Sequence, residues 1–146
     1  MKQKWIWRVL FVVYCALMCL LLFQRLGYEP GIPYTEQLKF NLIPFRTIRL
    51  FWEALHSHTY RTAAVINLFG NVIMFIPLGF LLPRVFWKLE SVWKVLLTVV
   101  FSIIAVELLQ LLTLVGTCDI DDLILNVIGA AMGYILHTNT KKILSK

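Results

Sequence analysis

Four apolar runs, each long enough to approach the width of a bilayer, constrain this chain more than any other feature, and three of them carry polar side chains. A spanning helix needs about 20 mostly apolar residues. Residues 5–23, 63–82, 92–115 and 120–137 meet that length to differing degrees, the last being shortened by its opening aspartates. Asn67 and Asn71 fall in the second run, Glu107 and Gln110 in the third, and Asn126 in the fourth, with Asp119, Asp121 and Asp122 at its mouth. An amide or carboxylate in hydrocarbon is costly, so such groups face a protein interior or a wet cavity and mark function.

Composition supports a membrane fold. The chain is 60% hydrophobic with a mean hydropathy of +0.78, above the roughly 45–50% apolar content of soluble domains. The sequence predicts an all-α integral membrane protein, one domain over residues 1–146, built as a four-transmembrane-helix bundle. The run after Lys2, Lys4 and Arg8 extends to Phe23 without a small-residue cleavage site, and reads as an uncleaved anchor.

The net charge is +6, but no basic stripe with interleaved aromatics is present, so nucleic acid is not an expected partner. Lys2, Lys4, Arg8, Arg84, Lys88, Lys94, Lys141, Lys142 and Lys146 fall on one side of a four-helix arrangement. Arg25, Lys39, Arg46, Arg49 and Arg61 fall on the other, spread through a long connection. Short basic flanks mark the cytoplasmic side, so a multi-pass protein with both termini in the cytoplasm is expected. Cys15, Cys19 and Cys118 form no disulfide framework.

The long segment, residues 24–62, is then extracytoplasmic. It contains Asn41-Leu42-Ile43-Pro44-Phe45 and a predicted short helix over residues 47–56. Ile48, Phe51, Trp52 and Leu55 recur at helical spacing on one face. Such a helix lies flat at the membrane interface, with Phe45, Phe51 and Trp52 as interfacial side chains, or packs against the mouth of the bundle.

With that orientation, Asn67, Asn71, Glu107, Gln110, Asp119, Asp122 and Asn126 share the outer half of the membrane, and a polar, ligand-binding pocket between the second, third and fourth spans is expected. Asn67 and Asn71 are one turn apart, as are Glu107 and Gln110. Gly129, Ala130 and Gly133 continue the fourth-helix stripe with small residues that let helices approach closely. Simpler readings stand beside this one. The asparagines can be interhelical hydrogen-bond glue, and the aspartates can cap a helix. Asp119, Asp121 and Asp122 are weak metal-ligand candidates whose spacing fits no metal loop. No metal or other cofactor is expected. Glu107 is the candidate catalytic acid or base, since burial can bring a carboxyl toward neutrality.

These residues carry a family resemblance. Asn41 to Phe45, the stretch Asn67-Leu68-Phe69-Gly70-Asn71 through Phe80, Glu107-Leu108-Leu109-Gln110, and Asp119-Ile120-Asp121-Asp122 through Gly129 resemble, in order, the VanZ-like membrane proteins. Many members resembling this chain carry an arginine shortly before the aspartates, where it has Gly116-Thr117-Cys118. The resemblance implies a bacterial plasma-membrane protein of the cell envelope and reduced susceptibility to teicoplanin without replacement of the peptidoglycan terminus. A non-enzymatic protein binding a membrane lipid, a lipid-linked cell-wall precursor or a lipoglycopeptide acyl chain is the leading expectation. A small membrane enzyme using Glu107 on a lipid-linked substrate is the alternative. Proton-coupled or lipid transport, which four helices would support only in a homo-oligomer, comes third.

Overall fold

The computed structural model describes residues 2–24, 40–112 and 118–144. Its elements are α1 (Lys2–Gln24), β1 (Phe40–Asn41), α2 (Arg46–Ala54), α3 (Arg61–Val85), α4 (Val92–Leu112), β2 (Cys118–Asp119) and α5 (Ile120–Leu144). The all-helical expectation holds apart from the short strand pair. The predicted stretches at residues 25–39 and 113–117, including most of the long connection and part of the turn before β2, lie outside the described residues.

Three helices, Arg61–Val85, Val92–Gln110 and Ile120–Ile143, are long and apolar enough to cross a membrane, while Trp5–Leu21 is a shorter apolar helix. The helix beginning at Ile120 outruns its predicted end at His137 by reaching Leu144. The three conform to the rule that backbone polar groups in lipid must be satisfied within the segment. α3 stays helical through Pro77 and Pro83, although each proline removes one ladder donor. Near this turn the Tyr14 hydroxyl of α1 donates to the Met74 carbonyl at 2.9 Å.

The most intimate packing is between α3 and α5, which run parallel: Asn71 meets Asp122 near one end, and Arg84 meets Thr140 near the other. Glycines make this possible. A Cβ added at Gly79 would collide with the Ala130 carbonyl, at Gly129 with the Val72 carbonyl, and at Gly133 with the Ile76 carbonyl. Gly70, by contrast, meets only an ordinary contact from Ile66 at 3.9 Å. In lipid no hydrophobic force drives helices together, so close backbone approach and dispersion hold such a seam. α1 packs on α3, and α4 packs on α5 and less extensively on α3. Met18, Phe75, Leu82, Val95, Val99, Ile103 and Ala130 form the shared core. α4 and α5, consecutive in the chain, are neighbours as well, but the glycine seam makes α3 and α5 the closest pair.

Candidate functional site

At one end of the bundle the chain brings β1 beside β2 in parallel, pairing Phe40 with Cys118 and Asn41 with Asp119. This places the Asn41–Phe45 stretch over the start of α5. The Asn41 amide donates to the Asp119 carboxylate at 3.1 Å and to the Thr47 hydroxyl at 2.8 Å. Thr47 in turn donates its hydroxyl proton to Asp119 at 2.6 Å. The other face of the Asn41 amide, its Oδ1, accepts the Ile43 N–H at 3.3 Å.

The residue before α2 is Phe45, in the left-handed region at φ 66°, with no side-chain capping bond of its own. A helix start needs acceptors for its free N–H groups, and Phe45 has none to give. Asp121 of α5 supplies them. Its carboxylate accepts the Phe45 N–H at 2.6 Å, the Thr47 N–H at 2.7 Å and the Ile48 N–H at 3.0 Å. Asp121 is fully buried, and its charge sits where the positive end of the α2 dipole favours it. Asp119 meanwhile accepts the Asp121 N–H at 2.9 Å, as an N-cap of α5 does.

The aspartates therefore divide their work. Asp119 and Asp121 latch the Asn41–Ile48 stretch to α5. Asp122 turns to α3, accepting the Asn71 amide at 2.6 Å. As metal-ligand candidates the three do not converge: both Asp121 oxygens are taken by backbone donors, and among the described residues no group of three or more His, Cys, Asp or Glu side chains is arranged to hold a metal.

Deeper in the bundle the polar side chains are less fully paired. Asn126, one turn beyond Asp122 on α5, is only 7% exposed, and its Oδ1 is sealed with no partner among the described residues. The Oδ1 of Asn67, one turn before Asn71 on α3, is likewise buried and unpaired. Glu107 of α4 is half-buried with Asp122 and Asp119 in electrostatic reach. Gln110 is half-buried and engaged with a neighbour. Burial pushes the Cys118 thiol above its ordinary value, and the nearby Glu107 and Asp119 charges add to the shift. α3, α4 and α5 thus each contribute to one polar layer. A buried acceptor without a donor costs about 1–3 kcal/mol, so two in one layer call for a physical explanation.

The amphipathic helix divides its apolar face. Ile48, Phe51 and Leu55 are half-buried, with α2 packed on α3 and α5, whereas Trp52 is 61% and Phe45 63% exposed. Packing against the bundle mouth therefore accounts for part of the face, and outward aromatic side chains for the rest.

Asn41 and Thr47 are the site residues that sequence reasoning passed over. Their signal was indirect: an amphipathic helix preceded by Phe45 lacks a capping side chain, so its cap has to come from elsewhere in the chain.

Comparison with known proteins completes the description. The family model described as VanZ/LLP1 matches residues 11–141. Protein VanZ of Enterococcus faecium is 31% identical over 114 residues, a region spanning 74% of this chain and 62% of that protein. This chain therefore covers less than two thirds of that relative's length. No solved structure matches the chain.

Proposed function

From the premise that this chain belongs to the VanZ-like family, we propose that it is a bacterial envelope membrane protein that lowers susceptibility to teicoplanin-type lipoglycopeptides. It does so by binding a membrane lipid, a lipid-linked wall precursor or the drug's acyl chain. The ligand site is an outward-facing polar pocket formed by Asn67, Asn71, Glu107, Gln110, Asp122 and Asn126, with Asp119 at its rim. α1 completes a four-span bundle whose termini both lie in the cytoplasm.

One observation carries this reading: the buried Asn67 and Asn126 oxygens, unpaired among the described residues, flank the Asn71–Asp122 bond along two tightly packed helices. Acceptors left without donors in the protein suit a ligand that brings hydroxyl, amide or ammonium donors, as sugar and lipid headgroups do. The latch above them holds Phe45 and Trp52 outward, where amphipathic rings favour the headgroup region. An acyl chain could reach the same level from the surrounding lipid.

The test is expression of the chain in a teicoplanin-susceptible bacterial host, against an empty vector, with drug binding to the surface measured in parallel. Reduced susceptibility and altered binding are expected; no change in either contradicts the role. Half-burial of Glu107 near two other carboxylates keeps the enzymatic reading open to a separate test. Glu107→Gln retains shape and hydrogen bonding but cannot shuttle a proton. Full activity of that variant at normal abundance removes Glu107 as an acid or base, and is the result the binding reading predicts.

A further inference from the structure

At the end of the bundle away from the strand pair, the Arg84 side chain is held in an unusual setting. Its guanidinium lies 4.2 Å from the Trp7 ring centroid and 4.1 Å from that of Phe80. Nε–H donates to His137 Nδ1 at 3.2 Å, and an Nη2–H donates to the Thr140 hydroxyl at 2.7 Å. Thr140 spends its own proton on the His137 carbonyl at 2.8 Å, so its lone pairs are turned to Arg84. Accepting at Nδ1 makes His137 the neutral tautomer, with its proton on Nε2. Rings, imidazole and hydroxyl fix the guanidinium in place without neutralising it.

A guanidinium carries five N–H groups, and two are used here. Among the described residues the Nη1 end is left with donors to spare. Among the described residues no carboxylate is paired with Arg84, whereas Arg49 and Glu53 form an exposed ion pair on α2. Among the described side chains, the charged ones at the Arg84 end are Arg8, Lys88, Glu90, Lys94, Lys141 and Lys142, an excess of cations. Trp5, Trp87 and Trp93 are all exposed there, and such rings settle at headgroup depth. Lys88 rests over the Trp87 ring, 5.5 Å from its centroid.

We propose that Arg84 is the anchor of a binding site for the phosphate of an anionic phospholipid, in the leaflet that surrounds this end of the bundle. A planar fork with a free edge matches two phosphate oxygens in a way an ammonium does not. The two flanking rings remove most of the rotamer freedom that binding would otherwise cost. Lys88 and Lys141 supply further positive charge at the rim. The site is separate from the Asn67–Asn126 layer and does not depend on the function proposed for that layer.

The test uses the full chain, purified in detergent and titrated with phosphatidylglycerol or phosphatidylcholine of identical acyl chains, with bound lipid read by native mass spectrometry. The unmutated protein should prefer phosphatidylglycerol by about tenfold, as one bidentate charge-assisted contact allows. Arg84→Gln should bring the two lipids to within about twofold of each other, while Lys88→Gln keeps most of the preference, because charge at the rim contributes less than a held fork. If Arg84→Gln does not fold, Arg84→Lys takes its place and should lose most of the preference despite keeping the charge. A higher thermal midpoint in phosphatidylglycerol than in phosphatidylcholine is expected for the unmutated protein. Equal binding of the two lipids, or a preference unchanged in a folded Arg84 variant, overturns the proposal. Inorganic phosphate displacing the lipid completely would assign the site to a free anion instead and overturn it equally.

Discussion

Two polar layers lie within a few helical turns of each other at the strand end, and they are built on opposite terms. In the outer layer, both oxygens of Asp119 and of Asp121 have donors, from Asn41, Thr47 and four backbone N–H groups of Phe45, Thr47, Ile48 and Asp121. In the deeper layer Asn71 donates to Asp122 and Gln110 is engaged with a neighbour, while among the described residues the buried Asn67 and Asn126 oxygens have no donor. The contrast separates polar groups that build the fold from those left unpaired among the described residues. Saturated groups hold a segment in place; unsaturated ones keep a cost that a ligand can relieve.

The sharpest way to break this contrast is to remove the saturated side. Asp121→Ala leaves three backbone donors of α2 without an acceptor, each worth about 1–3 kcal/mol. A total of at least about 3 kcal/mol should be lost, seen as a steep fall in thermal midpoint and membrane abundance. Asp121→Asn keeps one acceptor oxygen and should fall between this variant and the unmutated chain. Next in size is the seam that keeps the two layers in register. Gly133→Val drives its side chain into the Ile76 carbonyl of α3, and should cost about 1–3 kcal/mol by overpacking. That variant is read by loss of thermal stability, with weakened crosslinking between cysteines placed across α3 and α5.

Much of this was legible in sequence, and the limits have physical causes. Helix positions followed from the length of the apolar runs, because lipid allows few other backbone arrangements. Helical spacing pairs Asn67 with Asn71 and Glu107 with Gln110, and the structure joins Asn71 to Asp122 with Glu107 in electrostatic reach. The small-residue stripe of Gly129, Ala130 and Gly133 did mark a close contact, but periodicity alone could not say that the partner was α3 running parallel. Capping is usually local, and the expectation of a local cap holds for Asp119 but not for Asp121. Asp121 caps α2, a helix more than seventy positions earlier, and nothing in a spacing pattern reports such a distant partner. The short β1–β2 pairing was equally silent, since two residues per strand leave no alternation to read.

Smaller effects sharpen the comparison on its unsaturated side. Asn126→Leu is close in shape and removes an acceptor that has no donor, so stability should stay level or rise by up to about 1 kcal/mol. A clear drop in thermal midpoint would mean that the amide was paired after all. The smallest effect concerns Cys118. Its raised pKa means that the thiolate is scarcer at neutral pH than for an unperturbed thiol, so labelling by maleimide should be slow and quicken as pH rises. Asp119→Asn removes one of the charges that raise the pKa, and should quicken labelling at a fixed neutral pH, beyond any gain from loosening of the latch seen in Thr47→Val.

The most direct test of the central claim is the teicoplanin susceptibility of cells carrying Asn126→Leu, with membrane abundance matched to that of the unmutated chain. The account predicts susceptibility returned to the empty-vector level in a protein that is folded and stable. Protection as strong as that of the unmutated chain would contradict it.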